Sequence, residues 1–389
     1  MGGLSMEFTT YTLGEVCSRL SSGKSIKAAE IFPAGKYPVY GGNGLRGYAD
    51  RSNFEGECAI IGRQGAYCGN VRYFKGEAYM TEHAVVCQAN EKADTYYLSA
   101  LLSTLHLERL SGQSAQPGLA VGTLSVQEIN LPSLETQRSI ASILSSLDRK
   151  IELNNKINAD LEEMAQAIFK NWFVDFEPFK DGKFVDSELG MIPEGWKVGR
   201  LDEIADVVGG STPSKAKPEY YTQKGIAWLT PKDLSNHPAV YTSRGEIDIT
   251  EEGYNSTSTK LMPKGTILFT SRAPIGYISI AQNDICTNQG FKSLVPKKAG
   301  TCFLYCFLKY VTPEIENKST GSTFKEASGA LMKSLQVIMP EQKVFEDFEE
   351  IVCPLFTRIE SLEKENSRLS LLRDTLLPRL MSGELEVPE

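Results

Sequence analysis

Residues 131–172 read LPSLETQRSIASILSSLDRKIELNNKINADLEEMAQAIFKNW, and residues 339–380, 208 positions later, read MPEQKVFEDFEEIVCPLFTRIESLEKENSRLSLLRDTLLPRL. In each stretch a proline is followed by apolar residues at alternating spacings of four and three, which is typical of a coiled-coil helix. The first stretch has eight such positions, and seven of their partners at the 208-residue offset are also apolar. The sequence therefore predicts two copies of one long helix, which pair with each other.

The seam between the two helices is predicted from these positions. The residues predicted to form it are Leu144, Leu147, Ile151, Asn158, Leu161, Leu355, Ile359, Asn366 and Leu369. Asn158 and Asn366 are equivalent positions of the two copies, and a polar residue on a seam fixes the register of paired helices. Pro354 lies inside the second helix, where proline removes a hydrogen bond and clashes with the preceding turn. We therefore expect a kink or break near Cys353.

The segments that precede the two helices are also copies of each other. Residues 56–63 (GECAIIGR) correspond to residues 265–272 (GTILFTSR), and residues 13–16 (LGEV) to residues 201–204 (LDEI). In the first copy we predict a strand, a loop with glycine and arginine and a second strand within residues 57–71, followed by a helix at 95–110. The second copy has about twenty additional residues, which we assign to the segment 211–255. Matching scaffolds with different loops indicate two different binding surfaces.

Composition describes an ordinary globular protein with more than one core. The chain has 389 residues, of which 41% are hydrophobic and 23% are charged, and this length suits two domains. The net charge of −8 comes mainly from residues 341–389, with 6 basic and 12 acidic residues. Nucleic-acid binding is therefore neither excluded nor required by charge. No apolar run is long enough to cross a membrane.

The spacing of cysteines and histidines along the sequence indicates the cellular compartment and tests for a metal site. The 8 cysteines and 3 histidines form no C-x-x-C pair and no mixed cluster along the sequence. We therefore expect free thiols in a reducing cytoplasm and no metal site.

Motifs for catalysis are missing from the sequence. We find no phosphate-binding loop of the G-x-x-x-x-G-K-[ST] type, no H-E-x-x-H or G-x-S-x-G motif, and no N-P-P or D-P-P loop. The sequence predicts that the chain itself is not an enzyme.

Basic, amide and aromatic residues on the loops are the remaining candidates for function. Arginine can form two hydrogen bonds with guanine in the major groove and glutamine two with adenine, while lysine suits phosphates. The candidates for DNA binding are Arg46, Arg63, Gln64, Tyr67 and Arg72 in the first copy, and Thr212, Ser214, Lys215, Lys217, Arg272 and Tyr277 in the second. For the arginines, the alternative is a structural contact with a backbone carbonyl or a solvated side chain, and for Lys215 and Lys217 it is a solvated turn.

Several motifs together resemble the specificity subunit of bacterial type I restriction–modification systems. They are G-S-T-P-S at 210–214, S-R-A-P-I-G-Y at 271–277, T-N-Q-G-F at 287–291, G-S-T at 321–323, I-P-E-G-W at 192–196, the run from Asn155 to Phe176, and L-L-P-R-L-M-S-G-E at 376–384. The resemblance covers the chain from about Phe8 onward. The first copy departs from the pattern, because its arginine loop reads G-R-Q-G-A-Y-C-G and Thr-Glu-His replaces Thr-Asn-Gln.

The resemblance implies an α+β fold with two tandem target-recognition domains, separated by two long antiparallel coiled-coil helices and related by a pseudo-two-fold internal repeat. The predicted division is a first target-recognition domain at residues 1–133, a central long helix at 134–177, a linker at 178–195, a second target-recognition domain at 196–340, a C-terminal long helix at 341–382 and a tail at 383–389.

The resemblance also implies function and partners. Each domain would read one half of a bipartite target in double-stranded DNA, and the helices would set the gap between the halves. Two modification (methyltransferase) subunits would dock on the helices, and restriction (translocase and nuclease) subunits would join them. S-adenosylmethionine, ATP and Mg²⁺ would be bound by these partners, so that this chain needs no cofactor. The competing hypothesis is a non-catalytic protein-interaction scaffold, in which duplicated binding domains are spaced by a coiled coil.

Overall fold

The computed structural model describes residues 6–111, 118–319 and 325–387. The motif Gly321-Ser322-Thr323 lies outside these ranges. The chain folds into two compact units, which are Met1–Glu152 with Ser367–Glu389, and Leu153–Asn366. We call them unit 1 and unit 2. The division falls inside both long helices, so that each unit contains a part of each helix.

Unit 1 is built on a six-stranded sheet with the order β2-β7-β5-β6-β3-β4 and a separate pair, β1-β8. Its strands are β1 (Thr9–Thr12), β2 (Cys17–Ser22), β3 (Tyr37–Gly41), β4 (Gly44–Ala49), β5 (Phe54–Gly62), β6 (Val71–Met80), β7 (Ala84–Ala89) and β8 (Glu128–Leu131). Its helices are α1 (Thr95–Thr104), α2 (Val121–Ser125) and the first part of α3 (Leu134–Phe173).

Unit 2 has a five-stranded sheet with the order β12-β20-β17-β18-β15 and four two-stranded pairs among its described residues. Its strands are β9 (Phe184–Val185), β10 (Ile192–Pro193), β11 (Lys197–Arg200), β12 (Ala205–Gly209), β13 (Tyr221–Thr222), β14 (Trp228–Leu229), β15 (Tyr241–Thr242), β16 (Asp248–Ile249), β17 (Ile267–Ser271), β18 (Ile275–Ala281), β19 (Cys286–Thr287), β20 (Lys292–Pro296) and β21 (Gln336–Met339). Its helices are α4 (Leu201–Ile204), α5 (Pro231–Asn236), α6 (Glu251–Asn255), α7 (Thr301–Lys318), α8 (Gly329–Ser334) and most of α9 (Gln342–Met381).

Strand pairing confirms that the two units are copies of one scaffold. In unit 1, Thr9 of β1 pairs with Leu131 of β8, and in unit 2 Lys197 of β11 pairs with Met339 of β21. The antiparallel hairpin of β5 and β6 corresponds to that of β17 and β18. Unit 2 has β13, β14 and α5 before its parallel strand β15, whereas residues 23–36 precede the parallel strand β3 of unit 1. The additional residues of unit 2 therefore lie inside the predicted segment 211–255.

The helix predicted at 95–110 is shorter than expected. Helix α1 ends at Thr104, and a separate 3-10 helix covers Leu107–Leu110. His106 between them has a φ of 49°, which is a left-handed conformation that an α-helix cannot contain. The predicted first strand and loop are confirmed as β5 and the segment with the 3-10 turn Gly65–Tyr67, whereas the second strand, β6, begins only at Val71, the last residue of the predicted segment.

The two long helices run antiparallel within each unit. In unit 2, Asn154 donates a hydrogen bond of 2.9 Å to the side chain of Asn366, and the rings of Phe169 and Phe348 lie 6.3 Å apart. In unit 1, Arg373 forms an ion pair of 2.8 Å with Asp148. Arg373 lies 208 positions after Ala165 and is the one partner in the repeat that is not apolar; its ion pair with Asp148 explains the charge.

Most predicted seam residues lie on the inner faces of the helices. Leu144 and Ile359 are buried, and Leu161 and Leu355 pack against the core of unit 2. Leu147, Ile151 and Leu369 are half-buried. Asn366 bonds to Asn154 and Asn155 rather than to Asn158, because antiparallel packing brings residue 154 opposite residue 366. Asn158 is buried, and its side-chain oxygen has no hydrogen-bond partner.

Of the kink or break predicted near Cys353, the break is wrong, and the kink stays a prediction. Helix α9 continues from Gln342 to Met381 through Pro354. Pro354 is exposed, whereas Val352 and Phe356 beside it are buried. Packing of the buried face holds the helix together where proline removes one hydrogen bond on the outer face.

Candidate nucleic-acid interface

Three loops of unit 2 meet beside the carboxyl-terminal ends of β12, β17 and β19. The amide of Ser211 donates a hydrogen bond of 3.0 Å to the carbonyl of Thr287, and the amide of Ser271 donates one of 2.7 Å to the carbonyl of Gly290. A Cβ atom on Gly210 would lie 2.1 Å from the carbonyl oxygen of Thr287, so only glycine allows this approach. The motifs at 210–214, 271–277 and 287–291 are therefore parts of one site.

A groove of about 980 Å³ opens between these loops. Thr212, Lys215 and Arg272 line it, and these predicted DNA-binding residues come from segments far apart in sequence. Asn288 and Gln289 line the same groove, and Thr212 donates a hydrogen bond to the side-chain oxygen of Gln289. The groove thus combines a guanidinium, an ammonium and two amide groups, which are the groups that bind phosphates and base edges.

Arg272 extends from a tightly held loop. The hydroxyl of Thr270 donates a hydrogen bond of 2.8 Å to the carbonyl of Pro274 and accepts one of 2.9 Å from the amide of Tyr277. Ala273 has a φ of 54°, and its peptide bond to Pro274 is cis. The Arg272 side chain is 37% exposed and lies 3.5 Å from the carboxylate of Glu326. Lys292 lies 3.5 Å from the same carboxylate, so Glu326 pairs with both cations.

The remaining candidates of unit 2 do not line this groove. Ser214 and Lys217 are exposed, and the Lys217 ammonium donates a hydrogen bond of 2.8 Å to the hydroxyl of Tyr220. This bond raises the pKa of Lys217. Tyr277 lies five residues beyond Arg272 in strand β18, and it lines a separate cavity of about 480 Å³ together with Asn158 and Glu363.

Unit 1 repeats the arrangement of three loops. The amide of Arg63 donates a hydrogen bond of 3.0 Å to the carbonyl of His83, and its guanidinium donates one of 3.3 Å to the hydroxyl of Ser22. A Cβ atom on Gly23 would lie 2.1 Å from the carbonyl oxygen of Met80, which matches the close approach at Gly210. Gln64 and Tyr67 follow Arg63 and are exposed.

Arg46 and Arg72 lie around the turn between β3 and β4. A Cβ atom on Gly41 would contact the side chain of Arg46, and one on Gly44 would contact the guanidinium of Arg72. Both arginines are exposed. Gly42 of the same turn approaches the backbone of Arg63. The structure thus brings the predicted arginines of unit 1 around one turn.

Asn288 and Gln289 are not among the predicted site residues. Their signal is present in the sequence, because Thr287-Asn288-Gln289 and Thr81-Glu82-His83 are equivalent segments that differ in their polar side chains. A position where a repeated scaffold changes its polar groups is a candidate for specificity. In unit 1 the equivalent His83 lies 3.4 Å from the carboxylate of Glu82.

No helix among the described residues is both long and apolar enough to span a bilayer.

Comparison with known proteins identifies the scaffold. The family model described as type I restriction modification DNA specificity domain matches residues 6–163 and 193–368. The MjaIX specificity subunit of Methanocaldococcus jannaschii is 40% identical over 190 residues, which is 48% of this chain and 44% of that protein, so the match spans less than half of the relative. The HindI specificity subunit of Haemophilus influenzae is 28% identical over 330 residues, which is 69% of this chain and 71% of that protein.

A solved structure has the same fold. The type I restriction–modification system S subunit from M. genitalium superposes with a TM-score of 0.62 at 20% identity, and the match covers 100% of this chain and 98% of that one. Since the family model matches most of the chain, once in each half, the protein belongs to the type I restriction modification DNA specificity domain family.

Proposed function

We propose that this chain is the DNA-recognition subunit of a type I restriction–modification complex and reads a bipartite target with one half-site per unit. The observation that carries the proposal is the convergence of Thr212, Lys215, Arg272, Asn288 and Gln289 on one groove of unit 2. Unit 1 has a similar backbone contact in its arginine loop, from the amide of Arg63 to the carbonyl of His83, with different side chains around it, as two half-sites of different sequence require.

The groups in the unit 2 groove divide into two roles. Lys215 suits a phosphate, because its ammonium is a flexible point charge at the exposed end of a loop. Arg272, Asn288 and Gln289 can each present paired polar atoms to a base edge. Gln289 accepts a hydrogen bond from Thr212 through its oxygen, which orients its amide group. On binding, Arg272 would exchange its contact with Glu326 for contacts with DNA.

The remaining functions are proposed for partners. Two modification subunits would dock on the long helices and supply S-adenosylmethionine and adenine methylation, and restriction subunits would supply ATP- and Mg²⁺-dependent translocation and cleavage. This chain would itself be non-catalytic. It would act in the cytoplasm, which agrees with its free cysteines. Partner subunits would also supply much of the phosphate contact, so that the acidic net charge of −8 is no obstacle.

The test is co-expression with the modification subunit of the same system, followed by single-molecule sequencing of adenine methylation in the host DNA. We expect methylation of one split motif that disappears when this chain is omitted. A stable complex without new methylation would favour the protein-interaction scaffold.

Arginine variants assign the half-sites in the same assay. Arg272→Ala should relax one half-site, with a loss of discrimination of about 1–3 kcal/mol, and Arg63→Ala should relax the other. Lys217→Ala is the matched control, because its ammonium bonds to Tyr220 and lies outside the groove lining. A uniform loss of methylation on all sequences in Arg272→Ala would mean that Arg272 binds phosphate or supports the fold.

A further inference from the structure

A carboxylate of the long helix α9 caps helix α7 in unit 2. Gly300 precedes α7 and has no side chain to cap it. Instead, Glu349 accepts hydrogen bonds from the amides of Phe303, at 2.7 Å to Oε1, and of Cys302, at 3.3 Å to Oε2. A Cβ atom on Gly300 would lie 2.1 Å from Cδ of Glu349, so glycine is required for this contact. The carboxylate therefore stands fixed at the first turn of α7.

Two thiols lie against the same carboxylate. The Sγ atoms of Cys302 and Cys353 are 3.2 Å apart, and Sγ of Cys353 lies 3.3 Å from Oε2 of Glu349. All three potential ligand atoms lie within 4.8 Å of one another. Glu349 and Cys353 are four residues apart on α9, which places them on one face of the helix. Cys302 is buried, whereas Cys353 and Glu349 are partly exposed, so the cluster is open to solvent on one side.

Capping α7 does not account for the whole arrangement. The short hydrogen bond uses Oε1, while the bonds at Oε2 are long and leave a lone pair for a further ligand. A cap also needs no thiols. Unit 1 also has a pair of neighbouring thiols, because the Sγ atoms of Cys17 and Cys87 are 3.3 Å apart. Within the described residues, only Cys302, Glu349 and Cys353 form a group of three metal-ligating side chains.

We propose that Cys302, Cys353 and Oε2 of Glu349 bind a thiophilic divalent cation, with Zn²⁺ as the fitting ion and solvent as the fourth ligand. Zn²⁺ accepts thiolate and carboxylate ligands in tetrahedral geometry, with Zn–S distances of about 2.3 Å. Tetrahedral angles then place the two sulfurs about 3.8 Å apart, so a small separation of the thiols completes the site. Each thiol releases its proton to solvent on binding. The backbone amides of α7 orient the carboxylate ligand.

Such a cation would join α7 to α9 within unit 2. Its three proposed ligands are not among the residues that line the groove at Arg272. The proposal therefore concerns the attachment of a globular helix to the long helix, and it does not depend on the proposed DNA recognition.

The experiment uses the full chain, reduced and stripped of metal, with Co²⁺ as a spectroscopic stand-in for Zn²⁺. We expect one Co²⁺ per chain, with the sulfur-to-metal charge-transfer and visible bands of a tetrahedral thiolate site, and displacement of this signal by Zn²⁺. Addition of Zn²⁺ should also raise the thermal midpoint of unfolding in a concentration-dependent way.

Variants separate this site from other thiols. Cys353→Ser and Glu349→Gln should each weaken Co²⁺ binding at least tenfold, and glutamine keeps an acceptor for the α7 cap. Cys17→Ser is the matched control, because it alters the thiol pair of unit 1, and binding should be unchanged. Circular dichroism checks that each variant is folded.

Each of three spectroscopic results would overturn the proposal: the absence of thiolate bands in the wild-type chain, unchanged bands in Cys353→Ser, or an equal loss of binding in Cys17→Ser. A disulfide between Cys302 and Cys353 in freshly isolated protein, with no metal uptake after reduction, would also overturn it and identify the pair as a redox site.

Discussion

The arginine loops of the two units have similar backbone contacts and different side-chain partners. Arg272 and Arg63 both follow a central strand of their sheet. The Arg63 loop is held by a hydrogen bond from the amide of Arg63 to the carbonyl of His83, and the Arg272 loop by one from the amide of Ser271 to the carbonyl of Gly290. Yet Arg272 pairs with Glu326, whereas Arg63 bonds to the hydroxyl of Ser22. Each unit therefore presents an arginine directly after a central strand, and the two arginines differ by one residue in the pattern of backbone hydrogen bonds and in their electrostatic environment.

Glu363 is a half-buried acid that binds the edge of the unit 2 sheet. Its carboxylate accepts hydrogen bonds of 2.7 Å and 3.0 Å from the amides of Val240 and Tyr241. The pKa of Glu363 is raised to about 7, mainly by burial and in part by the nearby carboxylates of Glu162 and Glu360, although the two hydrogen bonds lower it. The folded state thus binds the Glu363 proton more tightly than the unfolded chain does.

We predict that the free energy of unfolding of unit 2 depends on pH through Glu363. Because the folded pKa of Glu363 is raised from 4.5 to about 7, its contribution to stability is fully present below about pH 4.5 and is lost as the pH rises through 7. Between pH 5 and pH 8 we expect a loss of about 1–3 kcal/mol in the free energy of unfolding, which Glu363→Gln should lack.

Urea unfolding followed by tryptophan fluorescence measures this effect. All 3 tryptophans, at positions 172, 196 and 228, belong to unit 2, so the signal reports on that unit. The quantity to compare is the difference between wild type and variant at each pH, since other groups also titrate. An identical pH dependence in both proteins would contradict the role assigned to Glu363.

At the scale of elements, helix α7 depends on a residue of another helix for its first turn. Helix α1 of unit 1 is capped by its own Asp94, which accepts a hydrogen bond of 2.9 Å from the amide of Tyr97. Helix α7 follows Gly300 and is capped by Glu349 of α9 instead. The start of α7 and its docking on the long helix are therefore one interaction.

Gly300→Ala tests this coupling. The new methyl group would meet Cδ of Glu349 at 2.1 Å, so the cap must shift, and we expect a loss of about 1–3 kcal/mol in the stability of unit 2. Gly209→Ala is the control in the same unit, because a Cβ atom there has no heavy atom within 4 Å. The measurement is the urea concentration at the midpoint of unfolding, followed by tryptophan fluorescence. Equal midpoints for the two variants would refute the requirement for glycine at position 300.

At the scale of the whole molecule, duplication and helix pairing are the two organising features. The pairing of Asn154 with Asn366 and of Asp148 with Arg373 sets the register of the antiparallel helices within units 2 and 1 respectively. The predicted domain division places each long helix outside the globular domains and stays a prediction, whereas the compact units divide both helices at residues 152–153 and 366–367.

Shortening both helices tests whether they set the gap of the DNA target. Deleting residues 149–155 together with 365–371 removes facing heptads and takes out Asn154, Asn155 and Asn366 together, so that none of these asparagines is left unpaired. Each helix becomes about 10 Å shorter, and the gap in the methylated motif should shrink by roughly three base pairs.

Methylation sequencing of the co-expressed complex measures the gap. Deleting residues 149–155 alone is the control, because it shifts the register of the helices and should abolish methylation. An unchanged gap in the double deletion would exclude the helices as the spacer.

The sequence by itself determined the repeat, the two long helices and the residue types of the arginine loops. These features follow from apolar periodicity and from residues that recur at a constant offset, both of which are properties of the linear chain. It also sufficed to select Thr212, Lys215 and Arg272, which the fold brings to one groove.

Only the tertiary structure decided which residues act together. In the fold, Asn288 and Gln289 line the groove, Tyr277 lines another cavity, and Asn366 bonds to Asn154. The fold also brings together Cys302, Glu349 and Cys353, which no motif connects. The continuity of α9 through Pro354 has the same origin. Such contacts depend on the direction of packing and on distances between segments that are remote in sequence, and local patterns contain neither.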